Sequence, residues 1–539
     1  MSVRPFVTVL VSAVLLGFSA CSKRETAVEI GNRTGTLHVN NAAEPRDLDP
    51  HTTTIPADIN IIRAVMEGLC ELDSVDCHPI PGVASQWSVS PDGLTWTFEL
   101  RADAKWSNGD PVTARDFIYA YHRMLSPGLG GEYREQFYIL KNARAFATGK
   151  LPDFAAVGVQ APGDHTLVLS LHQPVPYLPT LATQICWFPL HRATIEKFGR
   201  MEARGTAWTR PGNHVGNGAF NLAEWLPDQH LRVTKSPTYW DHAKVALNAV
   251  VFYPIDNPSV GEAAFRAGQL HIAVPPLAKV LAAQKDPALK SILQAGVALS
   301  TAILRLNCER APFTDARVRR ALSLAIDRPQ IAQRIIHSDS AATSFTPPNC
   351  AGYTADPTVT TDVAEARRLL AVAGFPEGRG FPKTEVVFYV YHGTEQVVAE
   401  ALQQMWRTQL GIDVALVQQE MKTVISARRT RDYGMLAGFW TGDYLDPATF
   451  LDIFLTNGGN NQTGWTNAEY DRLVAESQRT LDQTARYALL RRAESILLTE
   501  APVIPLYHVP MRRFVTPSVK GWHENLLDLH SLKAVSLTQ

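Results

Sequence analysis

The sequence of 539 residues has few of the features that mark membrane-spanning, nucleic-acid-binding or disulfide-scaffolded proteins. Beyond residue 21, no stretch approaches the roughly 18 consecutive apolar residues that a transmembrane helix needs. The 51 basic residues are balanced by 52 acidic ones, so no positive charge excess predicts binding to nucleic acid or to an anionic membrane surface. Six cysteines are few for a disulfide scaffold. The composition therefore predicts a soluble, multidomain body.

Catalytic and metal-binding motifs are also missing. The sequence contains no Gly-x-Ser-x-Gly elbow, no His-Glu-x-x-His pair, no phosphate loop ending in Gly-Lys-Ser/Thr and no dinucleotide fingerprint. The sixteen histidines are scattered singly, which is typical of surface or hydrogen-bonded core residues rather than of metal ligands. We therefore predict a binding protein that is not an enzyme and that carries no cofactor and no metal.

The first 21 residues have the pattern of an export signal. Arg4 precedes an apolar run over residues 6–18, which is short for a membrane span and typical of a signal-peptide core. Small residues then lead to Cys21, in a pattern similar to a bacterial lipoprotein cleavage box. We expect Cys21 to be the lipidated first residue of the mature chain, and the polar residues 22–35 to be a linker.

Two further cysteines predict a disulfide. Cys70 and Cys77 bracket the sequence ELDSVD, whose polar centre indicates a hairpin turn. In an oxidising exported compartment we expect these two residues to be bonded to each other. A zinc site is the alternative, but His78 alone does not complete a tetrahedral ligand set. The pairing of Cys186, Cys308 and Cys350 stays open.

The hydrophobic pattern changes near residue 310. Before it, short β runs alternate with turns, at residues 36–40, 94–100 and 166–171. After it, amphipathic helices begin near Thr314, Thr361, Thr394, Thr466 and Asp482, with Thr466 and Glu469 forming a capping box. Strand patterns lie between them, at residues 385–391, 412–417 and 503–508, and residues 511–516 return the chain to the first half. The alternation predicts an α/β second half.

One stretch, residues 438–450 (GFWTGDYLDPATF), presents a single carboxylate between two large aromatics. A strand ending at Trp440 delivers Asp443 into a glycine-containing turn that Tyr444 follows. A carboxylate among aromatic rings is costly to desolvate without a partner, which favours pairing with a ligand ammonium. The alternative is an aspartate that closes its own turn by accepting a backbone N–H.

The stretch resembles the loop that supplies the ammonium-binding aspartate in periplasmic oligopeptide-binding proteins of ABC importers. Six further segments resemble the same family in the same order, at residues 44–50 (EPRDLDP), 96–117, 174–177 (PVPY), 211–220, 236–240 (SPTYW) and 313–319 (FTDARVR). The resemblance implies an α/β, two-lobed, hinged periplasmic-binding-protein fold of type II with an additional inserted domain. The implied division is lobe I at 36–68, 190–298 and 508–539, an inserted domain II at 69–189, and lobe III at 299–507.

The resemblance also implies roles for five residues. Asp443 would bind the α-ammonium of a peptide, with Trp440 and Tyr444 as walls beside its side chains, or else as part of the lobe core. Arg428 aligns with a cleft arginine that meets the C-terminal carboxylate or an acidic side chain; a solvated helix end is the alternative. Arg305 stands where family members can carry an acidic residue, so the charge preference is expected to differ from theirs.

Three functions remain open at this point. The resemblance implies a monomeric receptor in the periplasm, lipid-anchored to a bacterial membrane, that captures oligopeptides and delivers them to an inner-membrane ABC permease. The same fold binding a murein peptide, a nickel chelate or haem is an alternative. A signalling or adhesion lipoprotein without a permease is another.

Overall fold

The computed structural model describes residues 25–283, 285–390 and 393–538. The predicted export signal and the predicted lipidation at Cys21 lie outside the described residues. Strands and helices alternate along the described chain, as an α/β protein requires.

The strands, in chain order, are β1 Thr36–Asn40, β2 Cys70–Leu72, β3 Pro79–Pro81, β4 Ala84–Val89, β5 Thr95–Leu100, β6 Val159–Gly163, β7 Thr166–Ser170, β8 Phe220–Leu226, β9 His230–Lys235, β10 Ala249–Tyr253, β11 Ile272–Ala273, β12 Leu293–Leu306, β13 Thr384–Phe388, β14 Val414–Gln418, β15 Met435–Thr441, β16 Val503–Val515, β17 Val519–Lys520 and β18 Ser536–Leu537.

The α-helices are α1 Ala27–Thr34, α2 Pro56–Val65, α3 Ala114–Leu125, α4 Ala143–Ala147, α5 Leu178–Leu181, α6 Arg192–Phe198, α7 Pro258–Arg266, α8 Leu277–Ala283, α9 Pro287–Ile292, α10 Ala316–Leu324, α11 Arg328–Ile331, α12 Val363–Val372, α13 Glu395–Leu410, α14 Met421–Thr430, α15 Ala448–Leu451, α16 Ala468–Arg479 and α17 Gln483–Glu500. Within the described ranges, no helix combines the length and apolar character needed to cross a membrane.

A mixed sheet of ten strands runs through the molecule in the order β14-β13-β15-β12-β16-β11-β1-β10-β9-β8. Strands β12 and β16 are its longest members, with 14 and 13 residues, and they pair antiparallel at its centre. One end of β16 pairs with β11, and its other end pairs with the part of β12 that borders β15. These two strands therefore connect the two halves of the sheet. The predicted strand at 503–508 and the predicted return segment form one continuous strand, β16.

The register of the β12–β16 pair is broken at its middle. Val297 pairs with Pro510, but the next pair joins Thr301 to His508, so the two strands do not advance in step between these positions. Such a bulge bends a strand pair locally without ending it. The irregularity lies where the chain passes from one half of the sheet to the other.

A separate antiparallel sheet of four strands, in the order β4-β5-β7-β6, is formed between residues 84 and 170. Its buried residues share one hydrophobic core with helices α2 and α3 and with strands of the first half of the large sheet. Within that core, Phe137 stacks on Trp187 with ring centroids 4.0 Å apart. We call residues 84–190, which contain this sheet and the residues packed against it, the small-sheet domain. The domain boundaries implied by the resemblance stay predictions.

The second half of the large sheet packs against helices that the sequence predicts. The buried faces of α10, α12 and α13 cover one side of β12, β13 and β15, where Leu322, Leu370 and Leu402 are buried. The predicted capping box at Thr466 is wrong, since Asn467 caps α16 and its side chain accepts the N–H of Tyr470 at 2.9 Å.

The predicted linker at residues 22–35 is wrong over residues 27–34, which form α1. Thr26 and Glu29 make a capping box, in which Thr26 Oγ1 accepts Glu29 N–H at 3.2 Å and Glu29 Oε2 accepts Thr26 N–H at 2.7 Å. Gly35, at φ 71°, ends the helix in the left-handed region. A Cβ atom on Gly31 would lie 2.4 Å from the carbonyl oxygen of Thr36, so α1 lies directly against β1.

The hairpin predicted between Cys70 and Cys77 is confirmed, but the predicted disulfide is wrong. In the β2–β3 pairing Cys70 lies opposite Pro81, while Cys77 lies in the turn at φ 62°. The two side chains also enter different hydrophobic clusters. Both are buried free thiols, as are Cys186 and Cys350; Cys308 is free and half-buried. Spacing in sequence did not determine the register that separates the two sulfur atoms.

Candidate functional site

Strand β15 and the turn after it position the predicted ammonium-binding residue. Ser300 of β12 pairs with Thr441 of β15, and their hydroxyl oxygens lie 2.9 Å apart. Gly442 then donates its N–H to Leu299 O at 2.8 Å. A Cβ atom on Gly442 would lie 2.7 Å from Thr449 Cγ2 and 2.8 Å from a methyl group of Leu299, so only glycine fits here without displacement. The turn is thereby held in one place.

Asp443 presents its carboxylate at this turn. Its backbone N–H donates to Thr449 Oγ1 at 3.0 Å. The side chain is exposed, and among the described residues its carboxylate accepts no hydrogen bond and forms no ion pair. Partial loss of hydration nevertheless raises the pKa of Asp443 above its ordinary value. The alternative of an aspartate closing its own turn is therefore not seen, because the backbone, and not the carboxylate, makes the local bond.

Tyr133, which precedes the 3₁₀ helix Arg134–Ile139 of the small-sheet domain, lies near this carboxylate. Burial, and second the negative charge of Asp443, raise the pKa of the Tyr133 phenol to about 12. The charge of Asp443 thus acts on a residue from another part of the chain. The sequence analysis missed Tyr133, since nothing in its neighbourhood gives a local signal.

Trp440 is half-buried and held by its indole N–H, which donates to Thr449 O at 2.8 Å. Thr449 therefore fixes both the aromatic ring through its carbonyl and the backbone of Asp443 through its hydroxyl. The structure brings Trp440 and Asp443 together as predicted from the sequence. Thr449, a positioning residue, was not among the residues that the sequence analysis singled out.

Tyr444 is committed to a contact between two parts of the chain. Its ring stacks on Tyr177 of the small-sheet domain, with centroids 5.1 Å apart and planes 8° from parallel. The guanidinium of Arg486 lies 5.2 Å from the Tyr177 ring and pairs with Asp446, with Nη1 2.7 Å from Oδ2. This arrangement favours the packing alternative for Tyr444 over a wall beside the ligand.

Arg305 and Arg428 are two cations whose charges interact. Arg305, on β12, is 3% exposed, and its Nη1 has no hydrogen-bond partner among the described residues. Arg428, on α14, is half-buried, and its Nε likewise has none there. Burial first, and then the charge of Arg428, lower the pKa of Arg305 to about 10. The two side chains, predicted separately from the sequence, are electrostatic neighbours.

Strand β15 relates the position of Arg305 to that of Asp443. A Cβ atom on Gly438 of β15 would lie 3.7 Å from Arg305 Nη1. Gly438 and Asp443 are separated by five residues, or at most about 16 Å of extended chain. An uncompensated carboxylate and two uncompensated guanidiniums at this spacing suit an elongated ligand that carries charges of both signs.

One group of possible metal ligands lies elsewhere. Asp73, Asp76 and His78 bring one ligand atom each within 4.8 Å of one another in the β2–β3 turn. These groups are engaged locally: Asp76 Oδ1 lies 2.6 Å from His78 Nδ1, and Asp73 Oδ1 accepts the N–H of Val75 at 2.8 Å. The group is at the exposed tip of a hairpin and forms no part of the candidate site.

Comparisons with known proteins agree with this geometry. The family model of bacterial extracellular solute-binding proteins, family 5, matches residues 78–462. The chain is 33% identical over 500 residues to the periplasmic oligopeptide-binding protein OppA of Escherichia coli K12, covering 90% of this chain and 89% of that protein.

Two solved structures show the same fold in different states. The murein tripeptide-binding protein MppA in its unliganded open form overlays with a TM-score of 0.84, at 32% identity and coverage of 94% and 97%. Haemophilus influenzae OppA in complex with RPPGFSPFR overlays with a TM-score of 0.71, at 32% identity and coverage of 94% and 99%. The predicted α/β two-lobed periplasmic-binding fold is confirmed. The chain therefore overlays better on the unliganded open form than on the peptide complex.

Proposed function

Because the chain belongs to family 5 of the bacterial extracellular solute-binding proteins, we propose that it captures oligopeptides between its two lobes and delivers them to an ABC importer. One observation carries the proposal: the exposed Asp443 carboxylate has no partner among the described residues, and it follows a strand, β15, whose Gly438 lies beside the unpaired Nη1 of Arg305. The chain matches relatives named as oligopeptide-binding proteins over most of their length, and these matches support the proposal.

In this proposal Asp443 binds the α-ammonium of the peptide. An ion pair is strongest where water is excluded, and closure of the lobes over the turn would exclude it. Trp440 offers an amphipathic face beside the first side chains, and Tyr133 approaches from the small-sheet domain. Main-chain hydrogen bonds to an extended peptide would supply the affinity that does not depend on its sequence.

Capture also needs a hinge. The bulge between Val297 and Thr301 on β12 lies opposite residues 508–510 of β16, on the two strands that join the halves of the large sheet. A few residues at such a crossing can absorb the dihedral changes of domain closure. We propose that a ligand held by both halves of the sheet stabilises the closed state. The bodies that move are then lobe I, the inserted domain II at 69–189 and lobe III at 299–507.

The location proposed is the periplasm, with the chain anchored to a membrane through lipid on Cys21. The export signal at residues 1–21 supports this location. The permease partner follows from the role of the family in import. A single anchored monomer per ligand is the simplest form consistent with this role.

Mass spectrometry of small molecules released from protein purified without denaturation tests the proposed ligand class. We expect a mixture of short peptides with free amino termini. Release of haem, of a metal chelate, or of one defined murein peptide instead would replace the proposed ligand with one of the alternatives of the same fold.

A further inference from the structure

A loop near the carboxyl end of the sequence starts and finishes at one place in the fold. Strands β17 and β18 pair antiparallel, with Lys520 opposite Ser536, and they bring together the two ends of residues 521–535. We call these residues the C-terminal loop. Compact loops whose ends are close and whose own side chains pack inside them are frequently functional.

The base of the C-terminal loop is fixed to the first half of the large sheet. Trp522, Leu532 and Val535 are buried in the hydrophobic core that also contains helices α2 and α3. Ion pairs add to this attachment, because Arg513 of β16 lies 3.2 Å from the carboxylate of Glu524 and 2.7 Å from that of Asp528.

The tip of the C-terminal loop packs on the second half. Leu526, Leu527 and Leu529 are half-buried against a different hydrophobic cluster, which includes Leu299 of β12. The tip is shaped by Asn525, whose side-chain amide donates to Leu529 O at 2.8 Å and whose Oδ1 accepts the N–H of Leu529 at 3.3 Å. One loop thus contacts both halves of the molecule.

The tip meets the large sheet at the bulge in β12. The pairing of β12 with β16 is interrupted between residues 297 and 301, so Leu299 has no partner residue on β16. Buried backbone groups need hydrogen-bond partners, and Leu299 finds them elsewhere. Its N–H donates to Leu526 O at 2.6 Å, and its carbonyl oxygen accepts the N–H of Gly442 at 2.8 Å. Leu299 therefore connects the tip of the loop to the turn that carries Asp443.

Side-chain packing strengthens the same connection. Leu299 is 2% exposed, and a Cβ atom on Gly442 would lie 2.8 Å from one of its methyl carbons. On the other side, a Cβ atom on Gly296 of β12 would lie 3.2 Å from Glu524 Cβ, so the loop also lies directly over the strand. Close-packed neighbours of this kind transmit a displacement from one to the next.

We propose that the C-terminal loop positions the turn that carries Asp443, and that it acts through Leu299. The inference rests on the proposed function, because it concerns the residue that binds the α-ammonium. Asn525 shapes the tip, and the carbonyl of Leu526 fixes the backbone of Leu299. Leu299 in turn fixes Gly442, the residue before Asp443. No residue of the loop needs to meet the ligand.

A displaced tip would weaken this support in a defined way. The buried N–H of Leu299 would lose its acceptor, and the backbone of Leu299 would then shift to find another. Gly442 would shift with it, and the Asp443 carboxylate would lie farther from the ligand ammonium. The energy of an ion pair falls as its two charges separate, so the amino terminus of the peptide would be bound less tightly.

Calorimetric titration with tri-alanine, in free and N-acetylated forms, tests the inference. We expect the wild type to bind the free form about 30-fold or more tightly than the acetylated form, as for a buried charge pair. Asn525→Ala removes both side-chain bonds that shape the tip and should reduce this ratio by about tenfold, through weaker binding of the free form. His523→Ala alters an exposed side chain of the same loop and should leave the ratio unchanged.

A second variant loosens the tip differently. Leu527→Ala shortens one apolar side chain of the tip and leaves the bonds of Asn525 intact. It should reduce the ratio by about threefold, because it weakens the packing of the tip without removing the turn. An unchanged ratio in this variant, with Asn525→Ala unable to fold, would overturn the inference.

Hydrogen exchange of the ligand-free proteins tests the connection without any peptide. The amides of Leu299 and Gly442 should exchange about tenfold faster in Asn525→Ala than in the wild type, while amides in the core of α3 keep the wild-type rate. His523→Ala should match the wild type at both positions.

The outcomes separate the loop from the site that it supports. A lower melting temperature for Asn525→Ala, with the wild-type ratio and wild-type exchange at Gly442, would overturn the inference, since the loop would then be structural only. Equal binding of the two peptide forms by the wild type would contradict the role of Asp443 in the proposed function, and this inference with it. Failure of the wild type to bind either form would contradict peptide capture itself.

Discussion

At the scale of a single side chain, Thr449 holds the turn that carries Asp443. Its hydroxyl accepts the N–H of Asp443 at 3.0 Å and its carbonyl accepts the indole N–H of Trp440 at 2.8 Å, while the residue itself is 4% exposed. Replacing the hydroxyl affects only the first contact. The orientation of Asp443 thus depends on a residue that does not itself meet the ligand.

Thr449→Val keeps the shape of the side chain but removes the acceptor for Asp443 N–H. We expect stability to fall by about 1 kcal/mol, the typical net worth of a hydrogen bond, and peptide affinity to fall by a larger factor of about tenfold because Asp443 is misplaced. Thr449→Ser retains the hydroxyl and should bind nearly as the wild type does. Equal affinities for all three proteins would show that the hydroxyl does not position the carboxylate.

His508 makes a pH-dependent contribution to stability. It is 4% exposed, its Nδ1 lies 2.9 Å from Thr301 Oγ1 across the bulge, and burial lowers its pKa to about 4. An unfolded histidine takes up a proton near pH 6.5, so below that pH the unfolded state binds more protons than the folded state. Stability is therefore lost as the pH falls from about 6.5 towards 4.

His508→Gln removes this titration. We expect the stability advantage of the wild type over the variant to be about 2 kcal/mol smaller near pH 4.5 than near pH 7. Urea unfolding of both proteins at the two pH values measures it. Other groups that titrate in this range are common to both proteins and cancel in the difference. A constant gap would mean that His508 is not held neutral by burial.

Which site residues the sequence can predict depends on whether they are neighbours along the chain. Trp440 and Asp443 lie within one strand and its turn, so a local pattern predicts their meeting. The charge of Arg428 on α14 acts on Arg305 of β12, and the charge of Asp443 acts on Tyr133, which is distant along the chain. No periodicity or turn signal encodes such contacts, because they depend on how distant elements pack.

Individual elements show the same division. Helices α12, α13, α16 and α17 form where amphipathic stripes predict them, but Asp362 and Asn467, and not Thr361 and Thr466, cap the first and third of these helices. Helix α1 was missed because its polar composition suggested a linker, although Thr26, Glu29 and Gly35 carry the signals of a capped helix. The β2–β3 hairpin was predicted correctly, but its register was not, and register alone separates Cys70 from Cys77.

At the scale of the whole molecule, composition predicts an α/β protein with several domains but not how distant sections of chain share one ten-stranded sheet. The long strands β12 and β16 join the halves of the sheet through partners far apart in sequence. The expected arrangement came from the resemblance of short segments to a family. The overlay with an open, unliganded relative confirms the fold and indicates the state.

Hinge closure is the prediction that belongs to this scale. The proposed hinge lies on the strands that join the two halves of the large sheet, so a ligand held by both halves should bring them together. Small-angle scattering is expected to show a smaller radius of gyration after saturation with a binding peptide. Protein with Asp443→Ala, at the same peptide concentration, is the control and should change less. An unchanged profile at demonstrated saturation would favour a receptor that binds without closing.

The measurement that tests the account most directly is the affinity of the wild type and of Asp443→Ala for one peptide in free and N-acetylated forms. If Asp443 binds the α-ammonium, acetylation should weaken wild-type binding by about 30-fold to several thousandfold, the 2–5 kcal/mol typical of a broken buried pair. Asp443→Ala should bind both forms weakly and with similar affinity, while its ligand-free melting temperature stays close to that of the wild type. If mutation and acetylation weaken binding additively, Asp443 does not bind the amino terminus, and the central claim is wrong.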